Sequence, residues 1–233
     1  MGSNGSHASN ASSDFEDARR EMVAEQIRAR GIDSQRVLGA MQSVPRHLFV
    51  GPEQIFFAYS DEPLPIGAGQ TISQPFMVAA MADALSLESD DRVLEIGAGS
   101  GYQSAVLSLL AREVITVETQ PSLAASARDR LARLGYNNVR VEFGDGSLGW
   151  PTAAPYNAIL VTAAAPAVPP PLVEQLADGG RLVIPVGYPE QQNLLRITKR
   201  EDGMSYESLY ACRFVPLLGR YGWSADPQEA SSG

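Results

Sequence analysis

The sequence predicts an α/β fold: a mostly parallel sheet that ends in an antiparallel strand pair, preceded by N-terminal helices. Three observations carry that expectation. Val93–Tyr102 (VLEIGAGSGY) reads as a buried strand, then a glycine turn, then the start of a helix. Short apolar runs then alternate with helical stretches, and the runs Val114–Glu118 and Val139–Asp145 each close on an acid. After a fifth apolar run, Arg181–Val186, the alternation stops. Asn193–Thr198 and Ser208–Val215 follow as two strand-like runs joined by a charged turn at Glu201–Gly203.

Taken in order, Met1–Ser13 contains no Lys, Arg, Asp or Glu and reads as a disordered, tag-like extension. Phe15–Arg30 has helical period, with Phe15, Ala18, Met22, Val23 and Ile27 on one face and Gly31 as its stop. Asp33 or Ser34 can cap a second helix that carries Val37, Leu38 and Met41 and ends before Pro45. His47 stands without a Ser or Cys nucleophile motif, so a structural or surface role is expected for it rather than that of a catalytic base. Leu64–Pro75 (LPIGAGQTISQP) reads as a fixed loop that displays Thr71, Ser73 and Gln74 at the start of a helix running to Leu85.

The glycine loop comes next, with Tyr102–Leu110 as its helix. Pro121 opens another helix, to Leu134, with Gly135 as its stop. Tyr156–Thr162 is the fourth strand, leaving through the small residues of Thr162–Pro166. A short helix begins at Pro169–Pro171 and is turned back by Asp178–Gly180. The residues after Trp223 form a polar tail, so a single domain over residues 14–223 is expected.

In an open parallel sheet, ligands bind beyond the carboxyl ends of the strands. Gly97, Gly99 and Gly101 leave bare backbone there, Glu118 is placed to accept from a ribose diol, and Asp145 is placed to accept from an adenine amino group. The spacing is G-x-G-x-G, with Tyr102 where a dinucleotide fingerprint has its last glycine. Glu95 adds negative charge, which favours a cationic ligand over a pyrophosphate. The spacing resembles motif I of the class I S-adenosylmethionine-dependent methyltransferases.

Composition narrows the classes. The chain has 233 residues, 44% of them hydrophobic, with a net charge of −9. Such an acidic surface argues against a nucleic-acid partner. No apolar run is long enough to span a bilayer. Cys212 is the sole cysteine, which excludes an intramolecular disulfide and suits a reducing cytoplasm.

Six segments resemble one family within that class, the protein-L-isoaspartate O-methyltransferases. They are Gly67–Pro75 (GAGQTISQP), Val93–Gln103, Gly144–Trp150 (GDGSLGW), Ile159–Pro166 (ILVTAAAP), Gly179–Gly187 (GGRLVIPVG) and Arg213–Gly219 (RFVPLLG). The resemblance implies the S-adenosylmethionine-dependent methyltransferase fold and a repair reaction. In that reaction the free α-carboxylate of an isoaspartyl residue is methylated, S-adenosyl-L-homocysteine is the product, and the ester closes to a succinimide. Carried over by position, Ser73 matches the active-site serine, with Thr71, Ile72 and Gln74 beside it. Glu95, Gly97, Ala98, Gly99, Ser100 and Gly101 match the cofactor loop, Glu118 and Thr119 the ribose side, and Asp145 and Gly146 the adenine side. Val215, Pro216, Leu217 and Leu218 match the segment flanking the substrate cleft. Ala98 stands where many members have threonine, and Val78 where some have histidine.

The expected partners are isoaspartyl proteins and peptides, with no metal, nucleic acid or membrane, and the chain itself is expected to be a monomer. A small-molecule carboxyl methyltransferase and a non-catalytic cofactor-binding module are the alternatives. A nicotinamide dehydrogenase is disfavoured by Tyr102 and by the terminal strand pair, and a DNA amino-methyltransferase by the absence of a polar-Pro-Pro-aromatic signature after the fourth strand.

Overall fold

The protein is described by a computed structural model covering residues 6–224, with side chains from Asp14 onward. Residues 1–5 of the expected extension, and the tail from 225, lie outside the described residues. The first helix, α1 (Ser6–Glu21), begins well before the expected Phe15 and so enters the stretch read as disordered. No glycine or proline lies between Gly5 and Gly31 to break it. It continues through a wider π-type turn at Met22–Ile27 and a tighter one at Arg28–Arg30. It stops where Gly31 takes φ +95°. Helix α2 (Gln35–Ser43) is capped by Ser34, whose Oγ accepts from the Val37 amide at 3.4 Å.

Leu64–Ile72 is a hairpin, where the sequence suggested a loop. β1 (Leu64–Gly67) pairs antiparallel with β2 (Gln70–Ile72), and Ala68 and Gly69 turn between them with positive φ. Helix α3 (Pro75–Ala84) follows directly. The main sheet then forms from β3 (Arg92–Ile96), β4 (Glu113–Glu118), β5 (Val139–Phe143), β6 (Tyr156–Val161), β7 (Leu176–Tyr188), β8 (Gln191–Arg200) and β9 (Gly203–Cys212). Helices α4 (Tyr102–Ser108), α5 (Pro121–Arg133) and α6 (Pro170–Glu174) connect its parallel part.

The strand order is β5-β4-β3-β6-β7-β8-β9. The chain leaves β3 toward β4 and β5, then crosses back to β6, so the order reverses beside β3. The first five strands are parallel, and β7–β8 and β8–β9 are antiparallel, as expected. Two boundaries differ from expectation. β7 begins at Leu176, which already pairs with Tyr156; Asp178–Gly180 lie in a bulge, with Gly179 at φ +76°, before pairing with β6 resumes at Arg181. β9 lies at Gly203–Cys212, earlier than Ser208–Val215.

Apolar residues cover both sheet faces. Val93, Val114, Ala158 and Leu160 join the side that carries α3, α4 and the N-terminal helices; Leu94, Ile96, Ile115 and Ile159 join the other. The N-terminal layer is anchored by Met41 and Phe49, both fully buried, and by Arg46. Arg46 donates from Nε to the Ala58 carbonyl at 2.7 Å and lies 4.9 Å over the Tyr102 ring. Burial lowers its pKa, and the neighbouring Tyr102 and Tyr59 oppose that shift. His47 is structural: it stacks on Phe15 at 4.2 Å, and its Nδ1 lies 2.7 Å from the Tyr59 hydroxyl.

Candidate active site

A cleft opens beyond the carboxyl ends of β3, β4 and β6, at the point where the strand order reverses. Its floor is the glycine loop. Gly97, Gly99 and Gly101 all adopt positive φ, at +96°, +53° and +87°. Gly97 has a second reason to be glycine: a Cβ there would lie 2.3 Å from Thr162 Oγ1. That hydroxyl donates toward the Ile96 and Gly97 carbonyls at 3.0 and 2.8 Å, which ties the end of β6 to the loop. Arg130 on α5 grips the far side, donating from Nη1 to the Ser100 carbonyl at 2.7 Å.

Glu118 ends β4 and is buried. Oε2 accepts from the Gly99 amide and Oε1 from the Gln120 amide, each at 2.9 Å. Each carboxylate oxygen keeps a second lone pair, so a diol can still be accepted. The loop backbone and this carboxylate therefore suit a ligand carrying a ribose.

Opposite stand two walls. One is β2 and the residues after it, from Gln70 through Thr71 and Ile72 to Ser73. Among the described residues, no hydrogen bond claims the Ser73 hydroxyl. The other wall is Val215, Pro216, Leu217 and Leu218, held against β6 by Ala164, whose amide donates to Val215 and whose carbonyl accepts from Leu217, both at 2.8 Å.

Most of the residues singled out in the sequence meet here. Thr71, Ile72, Ser73, Gly97, Ala98, Gly99, Ser100, Glu118, Thr119, Gly146, Val215, Pro216, Leu217 and Leu218 line one cleft. Glu95, Gly101, Asp145 and Gln74 do not. Gly101 sits against Leu131 of α5 as the residue before α4. Gln74 turns away to donate to the Asp61 carbonyl at 3.1 Å. Asp145 borders Gly146, and both its oxygens accept from protein groups. The sequence reading missed Tyr102, Gln103, Gln120 and Thr162 as lining residues. The run of small residues after Thr162 was the one signal that pointed toward that wall.

Glu95 requires a correction. Its carboxylate is fully buried beneath the loop, where it accepts from Ser104 Oγ, and it adds no charge to the cleft surface. The negative group that faces the cleft is Glu118. Burial pushes the Glu95 carboxyl up from 4.5 to about 7; the Ser104 and Thr116 hydroxyls pull it down, and Glu118 pushes it up. Across that window the unfolded chain loses the proton and the folded chain keeps it. The group's contribution to stability therefore declines as pH rises from about 4.5 to about 7. The shift from 4.5 to about 7 sets a ceiling on the effect of about 3 kcal/mol. We expect Glu95→Gln to flatten the fall in Tm between about pH 5 and pH 7 relative to wild type. Parallel Tm-against-pH curves for the two proteins would show that this carboxyl does not hold its proton in the fold.

The family model for protein-L-isoaspartate (D-aspartate) O-methyltransferase matches residues 17–222. A Methanoculleus marisnigri protein named protein-L-isoaspartate O-methyltransferase is 54% identical over 208 residues, covering 89% of this chain and 94% of its own. Protein-L-isoaspartate O-methyltransferase 2 of Pelobacter propionicus is 57% identical over 208 residues, covering 88% and 92%. Among solved structures, a protein-L-isoaspartate O-methyltransferase superposes with TM-score 0.80 at 29% identity, over 87% of this chain and 67% of that one. A second, from Plasmodium falciparum in complex with S-adenosyl-L-homocysteine, gives 0.73 at 26% identity, over 86% and 98%. With nearly the whole fold matched and the cleft built from the segments quoted above, the chain belongs to the protein-L-isoaspartate (D-aspartate) O-methyltransferase family.

Proposed function

We propose that this cleft methylates the free α-carboxylate of L-isoaspartyl residues in damaged proteins and peptides, with S-adenosyl-L-methionine as donor. The observation that carries the reading is the shared cleft: the glycine loop and Glu118 face Thr71–Ser73 and Val215–Leu218 across one space. When bound, the cofactor supplies an electrophilic methyl group on a sulfonium.

The residues of the chain do the rest. Glu118 and the bare backbone at Gly97 and Gly99 hold the nucleoside end, with Gly146 beside them. A peptide carboxylate has a pKa near ~4, so at neutral pH it is already the nucleophile and needs no general base. Ser73 is assigned to orient that carboxylate by donating a hydrogen bond to it. Val215–Leu218 and Ile72 give apolar walls that keep water from the reacting atoms. The work is alignment, which a rigid pair of walls performs well.

No helix among the described residues is long and apolar enough to cross a membrane. We read the compartment as cytoplasmic from the single cysteine, and the working unit as a monomer because one chain supplies both walls of the cleft.

The test is a pair of peptides identical in sequence, one with L-isoaspartate and one with L-aspartate, incubated with labelled S-adenosylmethionine. Base-labile label on the isoaspartyl peptide alone is expected. Equal label on both, or on neither, would refute the assignment.

A further inference from the structure

The peptide-side wall belongs to a longer loop, Val215–Trp223, which closes on itself. The Trp223 amide donates to the Leu217 carbonyl at 2.7 Å, and the Gly219 amide to the Trp223 carbonyl at 3.2 Å. The Trp223 indole donates to the Ala164 carbonyl at 3.0 Å. These bonds hold the base of the loop. Its tip, Arg220–Tyr221, is held from elsewhere: the Arg220 amide donates to Asp145 Oδ2 at 2.8 Å, and the Tyr221 amide to Ser147 Oγ at 3.0 Å. Ser147 Oγ in turn donates to Asp145 Oδ1 at 2.7 Å, and the Ser147 amide donates to the same oxygen at 2.9 Å.

Contact is equally close from the loop side. Gly219 has φ +146°, and a Cβ there would lie 2.0 Å from Asp145 Oδ1 and 2.7 Å from Ser147 Oγ. The residues after β5 and the loop therefore meet with no room for a side chain. Ser147 is fully buried and does not line the cleft.

We infer that Ser147, closing against Gly219, is a positioning residue for the peptide-binding wall. Its hydroxyl relays one hydrogen bond between the loop tip and Asp145, and so fixes where Leu217 and Leu218 stand. Losing the hydroxyl leaves the part-buried Tyr221 amide bond and the second bond to Asp145 Oδ1 unmade. The wall then samples several positions, and the peptide must select one. The cofactor cradle keeps its own bonds through Glu118 and Thr162. The inference rests on the methyl-transfer reading, since it assigns the wall to the peptide.

Ser147→Ala and Gly219→Ala attack the joint from its two sides. In steady-state assays with the isoaspartyl peptide, each is expected to raise the peptide KM about tenfold. The kcat at saturating peptide and the Kd for S-adenosyl-L-homocysteine should stay within about twofold of wild type. An unchanged peptide KM in both variants would overturn the role. So would a parallel loss of peptide and cofactor affinity in both, because that marks general damage to the site. Hydrogen exchange on the wild-type enzyme decides the matter without variants: the amides of Arg220 and Tyr221 should be protected, and rapid exchange of both would overturn the joint. Wild-type enzyme that leaves the isoaspartyl peptide unlabelled would refute the proposed function itself, an outcome separate from any change in KM.

Discussion

Glu118→Ala is expected to weaken S-adenosylmethionine binding by about a hundredfold or more. Two effects act together. The carboxylate is the acidic group at the end of β4 facing the cleft, and a hydrogen bond to a charged group is worth roughly 1.5–3 kcal/mol. Losing a pair of them to a diol removes two decades or more of affinity. The same carboxylate also accepts the amides of Gly99 and Gln120, so its loss frees the middle of the glycine loop. Glu118→Asp keeps the charge but withdraws it by one methylene, and should fall between wild type and alanine. Titration calorimetry with S-adenosyl-L-homocysteine measures all three. An alanine variant that melts like wild type and binds within a few-fold of it would show that the ligand's diol lies elsewhere.

Ser73→Ala should behave in the opposite way. It is expected to lower kcat by about ten- to a hundredfold, the value of one hydrogen bond to a carboxylate in the transition state, while cofactor affinity stays nearly intact. Folding should be little affected, because no other described group depends on the Ser73 hydroxyl. The two variants together separate the halves of the cleft. One loses cofactor and keeps the means to orient the peptide; the other does the reverse. Cofactor affinity falling as far as turnover in Ser73→Ala would place this serine on the cofactor side.

The parts of this architecture that were readable in the sequence are those where a local pattern has one physical meaning. Val93–Gly101 combines an apolar strand with glycines at fixed spacing, and the structure gives all three glycines positive φ. Pro75 and Pro121 open helices where expected. Readability fails where two patterns compete. Asp178-Gly-Gly180 has turn composition and makes a bulge, with Gly179 at φ +76°, but the strand starts before it, at Leu176, and resumes pairing after it, at Arg181. Leu64–Ile72 is rich in Pro and Gly, which hides a hairpin with few paired residues. On β9, an edge strand with both faces part exposed, alternation is weak, and a bulge opposite Leu194 and Leu195 disturbs its register.

Glu95 shows the same limit within the site. Its position two residues before Gly97 is plain from the sequence. Which face of β3 its side chain takes is decided by packing, and it points to Ser104 on α4 rather than into the cleft. Tyr102 and Gln103 were missed for a related reason: at the start of an apolar helix they look like packing residues until the cleft is seen.

The order in which the walls occur along the chain has a consequence for synthesis. The cofactor cradle and the Gln70–Ser73 wall are in place once β6 and Ala164 have followed the glycine loop, whereas the second wall arrives only with Val215–Trp223. A ribosome therefore exposes a half-built enzyme, in which the sheet's interior can already pair and the cofactor side can already form. Such a nascent chain has only one of the two walls between which a client polypeptide is gripped.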